Sequence, residues 1–176
     1  MIYIGIDPEP SGAFCIWYED LNALYFSTSN EDIQKRSKIF QLAIHPMGFE
    51  NQLLDDITVF IEDAWGRPNQ DVKSTTKYMK SFGAWLGILY TIGFKNVHII
   101  PASVWKKELE LSEDKIASYR FALQLIKDPE TGISNQQKAL SQIANSPTEK
   151  QMFDRCEAFL IAYYGRYFYD RENKEK

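Results

Sequence analysis

The stretch MIYIGIDPEPSGAFCIWY, residues 1–18, decides the fold. Ile2, Ile4 and Ile6 fall on one face of an alternating run, so residues 1–7 read as a strand. Residues 8–12 carry turn chemistry, with Pro8, Pro10 and Gly12. Residues 13–18 read as a second strand and residues 24–27 as a third. The connections are short, which predicts an antiparallel meander. Further out, residues 29–32 look like a helix start with Glu31 and Asp32 in the first turn, and one or two helices fill the stretch to Leu54. Residues 58–62 form a fourth strand of the buried β-branched kind. A long helix runs over about 72–91, and a fifth strand over 97–100 is stopped by Pro101. That strand, helix, strand order implies a right-handed crossover and a parallel pair.

The rest is helical. Ser112, Glu113 and Asp114 open one helix, and residues 128–132 form a loop. Ser146, Pro147 and Glu149 predict an N-cap, a proline at the first helical position and a capping-box glutamate for the last helix. Its stripe of Cys156, Phe159, Leu160, Tyr163, Tyr164, Tyr167 and Phe168 buries one side. The expected fold is α/β: a five-stranded mixed sheet, three antiparallel leading strands plus two parallel, flanked by helices.

Length and composition agree. The chain has 176 residues, 44% hydrophobic and 25% charged, which fits one globular domain over residues 1–176. A net charge of -4 and a pI of about 5.3 argue against non-specific coating of a polyanion. Cys15 and Cys156 stand far apart, so neither a zinc module nor a disulfide framework is indicated, and a reducing cytoplasm is expected. His45 and His98 lack ligand-like spacing, which argues against histidine metal sites and Ser-His-Asp triads. The longest uncharged stretch, residues 81–94, is too short to span a bilayer and holds three glycines. The N-terminus, MIYIGID, lacks the basic start and cleavage site of a signal peptide, and no membrane partner is expected.

Acids mark the candidate site. Asp7 and Glu62 each end a strand, where α/β sheets place ligands. Asp154 and Glu157 lie three apart on the last helix and share a face beside its apolar stripe. Four carboxylates from three distant segments suit hard cations, Mg2+ or Mn2+. Two such ions can polarise a scissile phosphate, generate a hydroxide and stabilise the leaving oxygen.

Three segments carry a resemblance: GIDPEPSGAF at residues 5–14, VFIED at 59–63 and DRCEAFLIA at 154–162. Together they resemble the acidic motifs of RuvC-like Holliday-junction resolvases, members of the RNase H-like nucleases. KSTTKYMKSFGAWLGIL resembles that family's long central helix, and PASVWKK with EDKIASYRFALQLI resembles the region carrying its lysines. The resemblance covers nearly the whole chain in family order. It implies an RNase H-like fold and a metal-dependent endonuclease that resolves four-way DNA junctions in recombination and repair. Asp7, Glu62, Asp154 and Glu157 are then the metal ligands, and Lys115 acts at the scissile phosphate. The chain departs from the family in three places. Glu157 stands where aspartate is common, Pro10 and Ser11 occupy a turn often rich in glycine, and the stretch between Lys115 and Asp154 is long enough for an extra helix near residues 135–143.

Basic and aromatic residues extend the expectation to DNA. Lys73, Lys77 and Lys80 recur on one face of the long helix, either as a phosphate track or as a solvated face. Arg67 adds a positive charge in the loop before it. By resemblance, Lys106 or Lys107 joins Lys115 near the phosphate, and Trp65 stacks on junction bases. Trp17, Trp85 and Trp105 read as core. Gly83 and Gly87 allow close helix packing, within the chain or, by resemblance, in a homodimer matching the two-fold symmetry of a junction. A phage or mobile element would suit as source. Within nucleases, the rival substrates are other DNA branches or RNA-containing duplexes. A small actin-like phosphotransferase and a non-catalytic nucleic-acid scaffold are the rivals from other classes.

Overall fold

The alternation at the start of the chain becomes β1 (Ile2–Ile6), followed by β2 (Ala13–Tyr18) and β3 (Ala23–Thr28) in an antiparallel meander. The structure is a computed structural model and describes residues 1–18, 23–28, 32–44, 54–64 and 71–169. Next come α1 (Ile33–Ile44), β4 (Ile57–Glu62), α2 (Val72–Ile92) and β5 (Asn96–Ile100). The helices α3 (Ala102–Glu108), α4 (Lys115–Lys127), α5 (Gln136–Ala144) and α6 (Glu149–Tyr164) follow, and a π-helical turn, Gly165–Tyr169, ends the described residues. The strands form one mixed sheet in the order β3-β2-β1-β4-β5, with β4 parallel to both β1 and β5. In register, Ile6 stands opposite Ile61, so Asp7 and Glu62 leave the sheet side by side at the same edge.

Period-two alternation sorts each strand between two cores. Ile4, Ile6, Phe14, Ile16, Val59 and Ile61 face α1 and α2, where Phe40, Trp85 and Leu89 meet them. Phe40 and Trp85 pack edge-to-face with ring centroids 5.3 Å apart. Tyr3, Cys15, Trp17 and Phe60 face the other way, against Trp105, Ile126, Phe159 and Leu160. Each fully buried large apolar side chain stabilises the fold by about 1.5–3 kcal/mol. Buried Arg36 of α1 donates to the Ser81 carbonyl at 3.0 Å and lies over the Trp85 ring, which ties α1 to α2.

Gly5 sets how closely α6 crosses the sheet. A Cβ there would lie 2.1 Å from the Ala158 carbonyl oxygen and 2.5 Å from the Ala162 nitrogen. The small residues at 5, 158 and 162 therefore let helix backbone touch strand backbone. Asp7 lies two residues beyond Gly5, and Asp154 one helical turn before Ala158, spacings of about 6 Å in both elements. The same contact thus carries both acids to one point.

Several local expectations change. Asp32 caps α1 instead of lying in its first turn: its carboxylate accepts from the Gln34 and Lys35 amides. Residues 29–31, and the stretch 45–53 within the region read as one or two helices, lie outside the described residues. The cap of α6 is Thr148, not Ser146. Thr148 is extended and accepts from the Gln151 amide, whereas the Ser146 hydroxyl donates to the Ile143 carbonyl and closes α5. Pro147 consequently precedes the helix. No helix among the described residues is long and apolar enough to cross a membrane.

Candidate metal centre

Three segments converge beyond the sheet edge. Asp7 follows β1, Glu62 ends β4, and Asp154 with Glu157 project from α6. Asp7, Asp154 and Glu157 are all buried, and each offers a carboxylate oxygen within 4.8 Å of the others. Glu62 stands beside this group and is held separately. Its Oε1 accepts from the Tyr78 hydroxyl at 3.3 Å and its Oε2 from the Trp105 indole N–H at 3.1 Å.

Asp7 is 3% exposed. Its Oδ1 accepts from the Glu9 amide at 3.1 Å, in a turn kept tight by Gly12, where a Cβ would meet the Asp7 carbonyl oxygen at 2.3 Å. Its Oδ2 is buried with no hydrogen-bond partner among the described residues. Burial first, then Glu9, Asp154, Glu157 and Glu62, hold the Asp7 carboxyl well above the usual carboxylate range. Burial and then Glu157 push Glu62 up to about 7, against the lowering effect of Lys106, Trp105 and Tyr78. Like charges this close resist joint ionisation unless a cation compensates them. An all-oxygen donor set with an orphaned buried acceptor fits a hard divalent ion.

Lysines bind the remaining carboxylate oxygens. Lys106 Nζ lies 3.0 Å from Glu157 Oε1. Lys115 Nζ lies 3.2 Å from Asp154 Oδ1, 3.3 Å from Glu157 Oε2 and 3.5 Å from Glu9 Oε1. Lys150 Nζ lies 2.9 Å from Asp154 Oδ2, also bonds Ser11, and pairs with Glu9. Burial pulls Lys115 down, but Glu157, Asp7, Glu9 and Asp154 more than reverse it and leave the ammonium well above its ordinary range. Lys115 is the first residue of α4, whose N-cap is Asp114.

The expected site residues therefore divide. Asp7, Glu62, Asp154, Glu157, Lys106 and Lys115 come together. Lys106 is buried against Glu157 instead of standing on an open surface, while its neighbour Lys107 is exposed outside the cluster. Lys73, Lys77 and Lys80 are exposed along α2, on the helix whose Tyr78 reaches Glu62. Trp65 and Arg67 lie outside the described residues. Trp17, Trp85 and Trp105 are fully buried, as expected of core. Apart from α2's own backbone and the adjoining residues, nothing described lies within 4 Å of the position a Cβ would take at Gly83 or Gly87, so neither glycine serves packing among the described residues. Sequence reasoning missed Glu9, Tyr78, Trp105 and Lys150. Lys150 was findable, since it lies four residues before Asp154 on the same helix face.

Sheet order and flanking helices define an α/β fold with a mixed five-stranded sheet. Among solved structures, T. thermophilus RuvC in complex with Holliday junction substrate is similar, with a TM-score of 0.51 over 94% of this chain and 95% of that chain. At 14% sequence identity the likeness shows a RuvC-like fold. No protein-family model matches the chain, and no curated protein matches it.

Proposed function

We propose that this chain is a metal-dependent endonuclease that resolves four-way DNA junctions by hydrolysing phosphodiester bonds. One observation carries the reading: the buried Asp7 carboxylate, with an unpartnered oxygen, lies within 4.8 Å of Asp154 and Glu157 in a RuvC-like fold. The solved relative is bound to Holliday junction substrate, and that supports the choice of DNA branch. Asp7, Glu62, Asp154 and Glu157 hold the divalent ions, Mg2+ or Mn2+. When bound, such ions polarise the phosphate and lower the pKa of the attacking water. Lys115 neutralises charge at the scissile phosphate, from a position where it already meets two of the acids. Lys73, Lys77 and Lys80, with Lys107, Trp65 and Arg67, bind the DNA arms. A homodimer with the exposed glycine face of α2 at its interface presents two sites to a two-fold junction. The buried free thiols of Cys15 and Cys156 suit a reducing cytoplasm.

The test is cleavage of synthetic four-way, three-way, flap and RNA–DNA hybrid substrates with Mg2+ or Mn2+. Metal-dependent symmetric cuts in the four-way junction support the reading. Preferential cutting of flaps or hybrids moves the substrate to another branch or to RNA. No cutting of any substrate removes the nuclease reading.

A further inference from the structure

Glu62 is held unlike Asp154 and Glu157. Those two acids are met by lysine ammonium groups, whereas each Glu62 oxygen accepts from an uncharged donor. The donors come from different helices, Tyr78 from α2 and Trp105 from α3. One donor per oxygen fixes both the position and the rotation of the carboxylate. Trp105 is also singled out among the buried tryptophans. The indole nitrogens of Trp17 and Trp85 find no acceptor among the described residues, while that of Trp105 bonds Glu62. The next residue, Lys106, bonds Glu157 and lies 5.1 Å from the Trp105 ring centroid. The short α3 thus ties a carboxylate of β4 to one of α6.

Neutral donors suit this place. An O–H or N–H orients the carboxylate without neutralising its charge. We infer that Trp105 and Tyr78 are positioning residues that fix Glu62 as a ligand and thereby set the affinity of the centre for divalent ions. The inference rests on the metal-dependent nuclease reading and deepens it.

The test is Mn2+ binding to the whole chain, by calorimetry without DNA, for wild type, Trp105→Phe, Tyr78→Phe and the double variant. Trp85→Phe serves as control, since it trims a buried tryptophan whose N–H has no acceptor among the described residues. Losing such an outer partner weakens metal affinity by roughly 10–100-fold. The double variant is expected to bind Mn2+ that much more weakly, with Trp85→Phe unchanged. A folded double variant with wild-type Mn2+ affinity overturns the inference, as does equal weakening by Trp85→Phe. If Trp105→Phe does not fold, Tyr78→Phe decides alone: weaker binding supports the inference and unchanged binding overturns it. A wild type that binds Mn2+ but cuts no nucleic acid fails the nuclease reading only, and the metal titration still decides the positioning roles. A wild type that binds no Mn2+ overturns both.

Discussion

Gly5 and Ala158 touch backbone to backbone: a Cβ on Gly5 would stand 2.1 Å from the Ala158 carbonyl oxygen. Neither neighbour is a flexible side chain, so α6 must move to admit a methyl group. Gly5→Ala is therefore expected to cost about 1–3 kcal/mol of stability, as overpacking does. Because the same contact brings Asp154 to Asp7, cleavage falls further than the stability loss explains. Urea denaturation alongside cleavage rate checks this. A Gly5→Ala protein with unchanged stability and activity would show that the helix is not seated through this contact.

The raised pKa of Glu62 predicts a pH slope in stability without metal. The unfolded carboxyl loses its proton near 4.5, but the folded one keeps it to about 7. Across that window the folded state binds more protons, so stability falls as pH rises. One pKa unit is worth about 1.4 kcal/mol, so the Glu62 contribution is on the order of 3 kcal/mol. Glu62→Gln is expected to flatten the slope relative to wild type when both are unfolded by urea in EDTA. Parallel slopes would mean that Glu62 ionises in the folded protein as it does in the unfolded chain.

Lys73, Lys77 and Lys80 are exposed on α2. Replacing all three with Gln is expected to weaken junction binding and flatten its salt dependence. Each lost phosphate contact lowers the log-log slope by about 0.9 on duplex DNA. Filter binding across a salt series measures it. An unchanged slope makes this a solvated helix face.

Local pattern carried much of the fold. The alternation of Ile2, Ile4 and Ile6, the apolar run before Glu62 and the stripe on α6 each encode an element by the faces they bury. The acids were legible for a related reason: Asp7 and Glu62 interrupt apolar strands just where the strands end. What escaped depends on contacts across the chain. Trp105 is buried like any core tryptophan, and nothing near it in sequence says that its N–H meets Glu62, 43 residues away. Tyr78 sits among exposed polar residues of α2 and gives no local sign of its partner. Glu9 looked like turn chemistry until Lys115 and Lys150, from two other helices, closed on it. The cap of α6 was misplaced because Ser146 and Thr148 are both good caps, and only the Ser146 bond to α5 separates them.

In the proposed reading Asp7 serves a metal centre and not the fold. Its carboxylate is buried among four other acids, and it is held well above the usual carboxylate range. The most direct measurement compares Asp7→Asn with wild type for junction cleavage in Mg2+ or Mn2+, with junction binding and thermal stability recorded on the same preparations. Cleavage is expected at background, binding equal to or tighter than wild type because a negative charge beside the phosphate is gone, and stability no lower. A folded Asp7→Asn protein that cleaves at the wild-type rate would contradict it.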